Sequence, residues 1–421
     1  LAYVNTTFFP KTNYIKDFAS RLAARIQKGR VYQAVASLFS DATLDLNFAA
    51  TKTLDPKVTF TRASTGTYVD ANGVIQSAAV NEARFDHDPT TGESLGLLIE
   101  EARTNLVIHS EFKNGLTDPT TISAGLLTAT SFSGLFDNTG IAFGHNGSTA
   151  SYVYVSGAIA STTTTFSCFI RMTDGGAPVF STGTPTDSTN EFTIILAGQT
   201  TSPNSYTVED YGNGLYRVWV TGTSGTVSNN TGLIKYTSNS SRTFTVSGYQ
   251  IESGVSFPSS YIPTNGATAT RAVDLAEITG TNFSSWYNQS EGTVFSETKG
   301  KVTSGGGRDV VDISDGSGSG NRILLRDHQL FIIDSSSIQT NIIFTDTLNN
   351  TKTAAAFTLN DAVIYSDGAN EGTDTSLTLP TVDRIHIGSY NGGGEQLCGC
   401  ISRLTYWPTR LTDEQLQEIT Q

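Results

Sequence analysis

The 421-residue chain is short of charge, methionine and cysteine, and each shortage narrows what it is. Only 15% of residues are charged, against about 25% in an average soluble domain. A coiled coil would be far richer in Glu and Lys, and charge-driven disorder is not indicated. Lys and Arg total 26 against 39 Asp and Glu, which argues against a dedicated nucleic-acid binder, because neutralising phosphates needs clustered cations. The three cysteines, Cys168, Cys398 and Cys400, make no disulfide framework, and free thiols fit assembly in a reducing cytosol. No window approaches 18 apolar residues, so no membrane insertion is expected. No signal peptide is visible.

What is present is Gly (40 residues), Thr, Ser and Asn, the composition of a β-rich, loop-rich protein. The length suits roughly two to four domains. Residues 1–40 stand apart. Lys11, Lys16, Arg21, Arg25, Lys28 and Arg30 face one acid, Asp17, so this stretch carries +5 and the rest of a −13 chain carries −18. Ile15, Phe18, Leu22 and Ile26 recur at helical spacing, with Gly29 as a stop. Three readings stay open: a basic docking arm for an acidic partner, with Arg21 and Arg25 beside the apolar stripe; an ordinary packed helix; and a targeting segment. A second short helix is expected through Val31, Val35 and Leu38.

From Leu44 the period switches to two, which reads as antiparallel β. Phe166, Cys168, Ile170 and Met172 share one face, with Thr165, Ser167 and Arg171 on the other. Tyr216, Val218 and Val220 oppose Leu215, Arg217 and Trp219. Asn72-Gly73 and Asp367-Gly368 are hairpin-turn dipeptides. Two prolines in Phe257–Thr264 break any ladder, and Asn265–Thr270 reads as a linker. A weaker boundary falls near Lys113-Asn114-Gly115. Thr412-Asp413-Glu414-Gln415 is a capping box with Leu411 and Leu416 at the staple positions, so a short helix ends the chain.

The run Leu54-Asp55-Pro56-Lys57-Val58-Thr59-Phe60-Thr61-Arg62-Ala63-Ser64-Thr65-Gly66-Thr67-Tyr68-Val69-Asp70 resembles a module of tailed-bacteriophage virion appendages, which are tail-fibre-like structural proteins. Phe85-Asp86-His87-Asp88-Pro89 and Gly96-Leu97-Leu98-Ile99-Glu100-Glu101-Ala102-Arg103-Thr104-Asn105-Leu106 continue the match, which is dense over residues 54–106. Beyond it, Gly214–Thr221 and Gln250-Ile251-Glu252 resemble a carbohydrate-binding-module-like jelly roll. Glu291–Phe295, Ile385–Gly388 and Gly399–Leu404 resemble a concanavalin A-like, laminin-G-like sandwich. The resemblance implies a mainly β protein of tandem antiparallel β-sandwiches, jelly roll plus concanavalin A-like, behind a short helical N-terminal arm. Its parts would be a basic docking arm (1–40), a β-rich phage module (41–113), a jelly roll (114–264) and the second sandwich (272–421). It also implies a homotrimer docked on other virion proteins.

A search for chemistry returns little. Asp309, Asp312 and Asp315 are three apart and are expected not to share a strand face; Glu100-Glu101 point apart. All are read as solvated carboxylates. The five histidines show no metal spacing, and Asp86-His87-Asp88 before Pro89 reads as a turn rather than a cation site. No hydrolase elbow or phosphate loop occurs. No catalytic residue, metal or cofactor is therefore expected. For glycan binding, Trp219 with Arg217 forms an aromatic platform if its face is open, although packing is the favoured reading. Tyr390 and Asn391 sit on a glycine-rich loop, where specificity often resides. The expected function is a non-enzymatic tail-fibre or receptor-binding appendage for host-surface glycans, assembled in the host cytoplasm and located on the virion. The alternatives are a head decoration or head-fibre protein, and a tailspike glycan depolymerase.

Overall fold

The computed structural model describes residues 35–118, 121–122, 126–144, 150–156, 163–179, 192–196, 199–200, 206–223, 230–235, 242–300, 308–318, 320–344 and 351–421. Within these the chain is mainly β, and every strand ladder is antiparallel. The docking-arm residues Ile15, Phe18, Arg21, Leu22, Arg25 and Ile26 lie outside the described residues.

Two sandwiches are nested in one another. The larger has an eight-stranded sheet running Ala369–Asp374, Asp361–Ser366, Thr351–Thr358, Glu291–Gly300, Gly399–Trp407, Ser94–Ile99, Phe85–His87, with Leu44–Leu46 also paired to Gly399–Trp407. Its seven-stranded partner sheet runs Thr59–Thr61, Leu275–Thr279, Arg384–Ile387, Asp309–Ser314, Arg322–Arg326, Gln329–Asp334, Ser337–Ile343. Leu46, Phe60, Leu97 and Ile99 share one core with Ile313, Ile401 and Leu404.

This corrects the separation of residues 41–113 from 272–421. The phage-like stretch is not a domain of its own, because its strands of three to six residues complete both sheets of the C-terminal sandwich. Strands that short bury one face only when larger sheets receive them. Leu44 pairs with Tyr406, Thr59 with Glu277 and Ile99 with Gly399.

The second sandwich is inserted between these halves. Its six-stranded sheet runs Thr207–Asp210, Leu215–Thr223, Thr163–Met172, Phe244–Ser253, Thr139–Phe143, Leu127–Ser131. Facing it are Gln199–Thr200, Thr193–Leu196, Asn230–Lys235, Ser151–Ser156 and Thr121–Ile122. Phe166, Cys168, Ile170 and Met172 enter its core with Val218 and Val220, as their alternation requires. The strands leading in and out, Arg103–Asn105 and Ala269–Arg271, pair with each other, so the expected linker ends in a ladder.

The outer face of the eight-stranded sheet is covered by helices. The terminal helix Asp413–Thr420 carries the full capping box: Gln415 N–H donates to Thr412 Oγ1 and Thr412 N–H donates to Gln415 Oε1. Beside it residues 35–40 are helical. Leu38 O accepts from Trp407 Nε1 at 2.7 Å, and the Phe39 ring lies 3.6 Å from the Arg403 guanidinium carbon. The short helix through Val35 and Leu38 is thus held against the sheet, and Val31 lies outside the described residues.

Candidate functional site

Two regions hold the residues that the sequence singled out. The first is the seam between the sandwiches, where Arg62, Arg84 and Arg271 are buried with Asp274 and Glu100. Arg84 donates to Glu100 Oε2 at 2.7 Å, to Thr67 O at 2.8 Å and, from Nη2, to Asp274. Arg62 Nη1 meets the other Asp274 oxygen at 3.2 Å, and Arg271 Nη1 lies 3.0 Å from Glu100. Burial pushes the Glu100 carboxyl up, but Arg271 and Arg84 outweigh it and hold the group well below the usual carboxylate range. Glu100 is thus the buried centre of an ion network, not a solvated edge group. Its partners come from distant segments, and no local signal announces them.

Arg217 and Trp219 lie on the outer face of the six-stranded sheet, and that face is not open. The hairpin of Gly66–Val69 and Ile75–Ala78 covers it, with Val69 and Ile75 packed among Phe132, Phe169, Leu215 and Tyr261. Arg217 is 1% exposed, its guanidinium carbon 5.4 Å from the Phe169 ring centroid, and Nη2 donates to Ser167 Oγ at 3.2 Å. Burial lowers its pKa, but Tyr211, Glu209 and Glu252 outweigh that and leave it raised. Trp219 is half-buried and its indole N–H has no partner. Arg217 is buried beneath the hairpin, so it does not stand beside Trp219 on an open platform. Arg217 instead lines an inter-domain cavity of about 200 Å3 with Phe169, Tyr211, Glu100, Cys398 and Cys400.

The second region is the outer face of the seven-stranded sheet. Tyr390 opens a tight loop, its carbonyl accepting from both Gly393 N and Gly394 N. Its hydroxyl donates to Gly318 O at 3.0 Å, and its ring centroid lies 4.1 Å from the guanidinium carbon of Arg322. Asn391 is exposed, and its backbone N–H donates to Asp312 Oδ2 at 2.9 Å. The loop is a cover over a buried polar cluster. Arg322 is fully buried with no hydrogen bond from any guanidinium nitrogen, its Nη1 4.0 Å from Asp312. His386 Nδ1 lies 3.5 Å from Asp312 and its Nε2 3.6 Å from Glu277.

Here the spacing argument about Asp309 and Asp312 fails. A bulge between Asp309 and Val311 sends Val310 and Val311 both into the core, which returns the two aspartates to the same outer side. Asp309 accepts from Arg326 Nε at 2.7 Å. Burial pushes its carboxyl up to about 7 against the pull of Arg326, with Glu395 and Asp312 adding to the rise. Two carboxylates on one face, one of them raised to about 7, is an arrangement that acid–base chemistry uses. Both are 0% exposed beneath the Tyr390 loop, out of reach of a substrate in this conformation.

Of Asp86-His87-Asp88, the first two end the strand Phe85–His87 and only Asp88 starts the turn, its Oδ1 accepting from the Thr90 hydroxyl and from the backbone N–H groups of Thr90 and Thr91. Those bonds hold the Asp88 carboxyl at about 2. Among the described residues no three His, Cys, Asp or Glu side chains gather into a metal site.

No protein-family model and no curated protein matches the chain. Among solved structures, the carbohydrate-binding module CBM40 of the Ruminococcus gnavus IT-sialidase, bound to α2,3-sialyllactose, is similar at 11% identity. The match has a TM-score of 0.30 over 33% of this chain and 88% of that one. Domain 4 of AbnA, a GH43 extracellular arabinanase from Geobacillus stearothermophilus, in complex with arabinotriose, is similar at 13% identity and TM-score 0.30, over 40% of this chain and 81% of that one. Likeness at this level carries no functional argument, and the reading below rests on the chain's own residues.

Proposed function

We propose that the chain is a non-enzymatic structural protein of a tailed-phage virion, a tail-fibre-like appendage that presents two β-sandwiches to host-surface glycans. The observation that supports this best is the seam. The stretch that resembles phage appendages supplies strands to both sheets of the larger sandwich and Arg62, Arg84 and Glu100 to the ion network. A weld of that kind holds two recognition domains at a fixed angle, which suits a load-bearing particle part. The paired carboxylates Asp309 and Asp312 are sealed, which favours this reading over a depolymerase. In this reading the basic arm docks on other virion proteins and the chain is a homotrimer.

Antibody labelling of purified virions tests it. Label on the tail is expected. Label on the capsid would move the protein to the head-decoration reading, and absence from particles would end both. Release of reducing ends from host polysaccharide would restore the depolymerase. The arm is expected to anchor through its apolar stripe: Leu22→Asp should abolish incorporation with both sandwiches folded, whereas Arg21→Ala with Arg25→Ala should weaken it in a salt-dependent way. Tolerance of Leu22→Asp in the particle assay would overturn the anchoring.

A further inference from the structure

An open groove of about 500 Å3 runs along the phage-like stretch, sharing Tyr68 with the lining of the seam cavity. Tyr68 and Phe85, both half-buried, give it aromatic surface, and Lys52, Asp70, Glu82 and His87 give it polar groups. The volume lies within the range of ligand pockets, about 300–1,000 Å3.

His87 is the telling residue. It is 5% exposed, and its Nδ1 lies 3.0 Å from Val69 O. A carbonyl only accepts, so Nδ1 carries a proton, and in that tautomer of the uncharged ring Nε2 is an acceptor. That nitrogen is buried and has no partner. An unfilled buried acceptor is costly, and it marks where a donor belongs.

The rim sets Lys52 against Asp70 and Glu82, so it is net negative, and both carboxylates already hold hydrogen bonds. Asp70 accepts from Asn72 N, Val74 N and Gln76 Nε2 at 2.8–3.0 Å. Glu82 accepts from Ala79 N–H at 2.7 Å, and Lys52 lines the same groove. Burial, then Glu82 and Asp70, raise the Tyr68 phenol, so it stays a neutral donor and acceptor. Beside the carboxylates, the groove is lined by a phenol, an imidazole and two aromatic rings. An anion meets a net-negative rim there and is disfavoured. A neutral sugar ring fits, because its C–H face covers an aromatic ring while its hydroxyls both donate and accept.

We propose that this groove binds a neutral sugar, with one hydroxyl donating to His87 Nε2 and the ring against Tyr68. Tyr68 aside, this is a site apart from the two regions described above, and it stands on its own chemistry whatever the particle location proves to be.

The test is a titration of the full chain, labelled with 15N-histidine, with D-galactose, L-rhamnose and N-acetylglucosamine, and separately with methylammonium. The His87 Nε2 resonance reports directly whether that nitrogen accepts a hydrogen bond. A saturable upfield shift of that nitrogen with at least one sugar is expected, the other four histidines staying put. Tyr68→Ala should weaken the binding about tenfold or more, the loss of one stacked ring. Glu82→Gln, which keeps an oxygen for Ala79 N–H, should change it little. Unchanged His87 signals with all three sugars would overturn the proposal, and so would a response to methylammonium alone. A Tyr68→Ala variant that binds as the parent does would overturn the stacking. Absence of the protein from virions would leave these outcomes untouched, so the two readings fail separately.

Discussion

Asp274 holds two buried guanidinium groups, one on each oxygen, and also accepts the backbone N–H of Glu100 at 2.9 Å. Its removal leaves Arg62 and Arg84 facing each other without a shared counter-charge. Asp274→Asn is expected to cost about 3–5 kcal/mol, the usual penalty for breaking a buried pair. Urea unfolding measures it, and a loss under about 1 kcal/mol would mean that water reaches the seam. Asp309 behaves in the opposite sense. Its folded carboxyl is raised to about 7 from 3.8. Between those values the folded state holds a proton that the unfolded state has lost, so stability falls as pH rises through that window and stays low above it. Asp309→Asn mimics the neutral form. It should flatten the fall and stabilise the protein at pH 8 by a few kcal/mol at most, at about 1.4 per unit, while changing little at pH 4. Unfolding midpoints of both proteins at those two pH values check the sign. Residue types were readable here, but partners were not. Nothing near Glu100 announces Arg271, and nothing near Asp309 announces a bulge.

Local signals carried the individual elements well. Thr412 with Gln415 capped the last helix, alternation oriented Phe166 to Met172, and Asp367-Gly368 turned a hairpin with both residues at positive φ. The opposite faces were harder to read. Thr165 and Ser167 are buried, because other segments lie over that sheet, and a two-residue period cannot show what covers the second face. Gly96 shows how closely strands approach in the larger sandwich. It has φ +96°, and a Cβ there would lie 2.1 Å from Ile401 O on the neighbouring strand. Gly96→Ala is expected to cost about 2–4 kcal/mol, combining backbone strain with a clash that only backbone movement relieves. Gly254 has φ +79° and nothing near a Cβ, so Gly254→Ala should cost only the left-handed strain, about 1 kcal/mol. Equal losses in urea melts of the two variants would show that strand approach at Gly96 contributes nothing.

The nesting of the two sandwiches is where sequence reading and topology part furthest. Local periodicity divides the chain wherever its pattern pauses, so it cut at Lys113 and at Pro263. The sheets ignore the first cut, because Ser94–Ile99 pairs with Gly399–Trp407 across the whole inserted domain. Pairing over that distance has no signature in a window of residues, since any apolar strand of matching length reads alike. Independent folding should follow the topology and not the pattern. A fragment of residues 272–421 lacks Leu44, Leu46, Phe48, Val58, Phe60, Leu97 and Ile99 from its core. Seven buried side chains at about 1.5–3 kcal/mol each exceed most of the 5–15 kcal/mol that stabilises a whole domain. It also bares one edge of Gly399–Trp407, the strand that receives Leu44–Leu46 and Ser94–Ile99. That fragment should fail to fold. A fragment of residues 104–268 keeps both sheets and nearly all of the core around Phe143, Phe166, Val218 and Tyr249, and loses the hairpin over Phe169 and Leu215 and the short ladder to Ala269–Arg271. It should fold alone, with an exposed apolar face that favours self-association. Circular dichroism and cooperative urea unfolding separate the cases: a cooperative transition from 272–421 alone would mean that the phage-like strands decorate the larger sandwich and do not complete it.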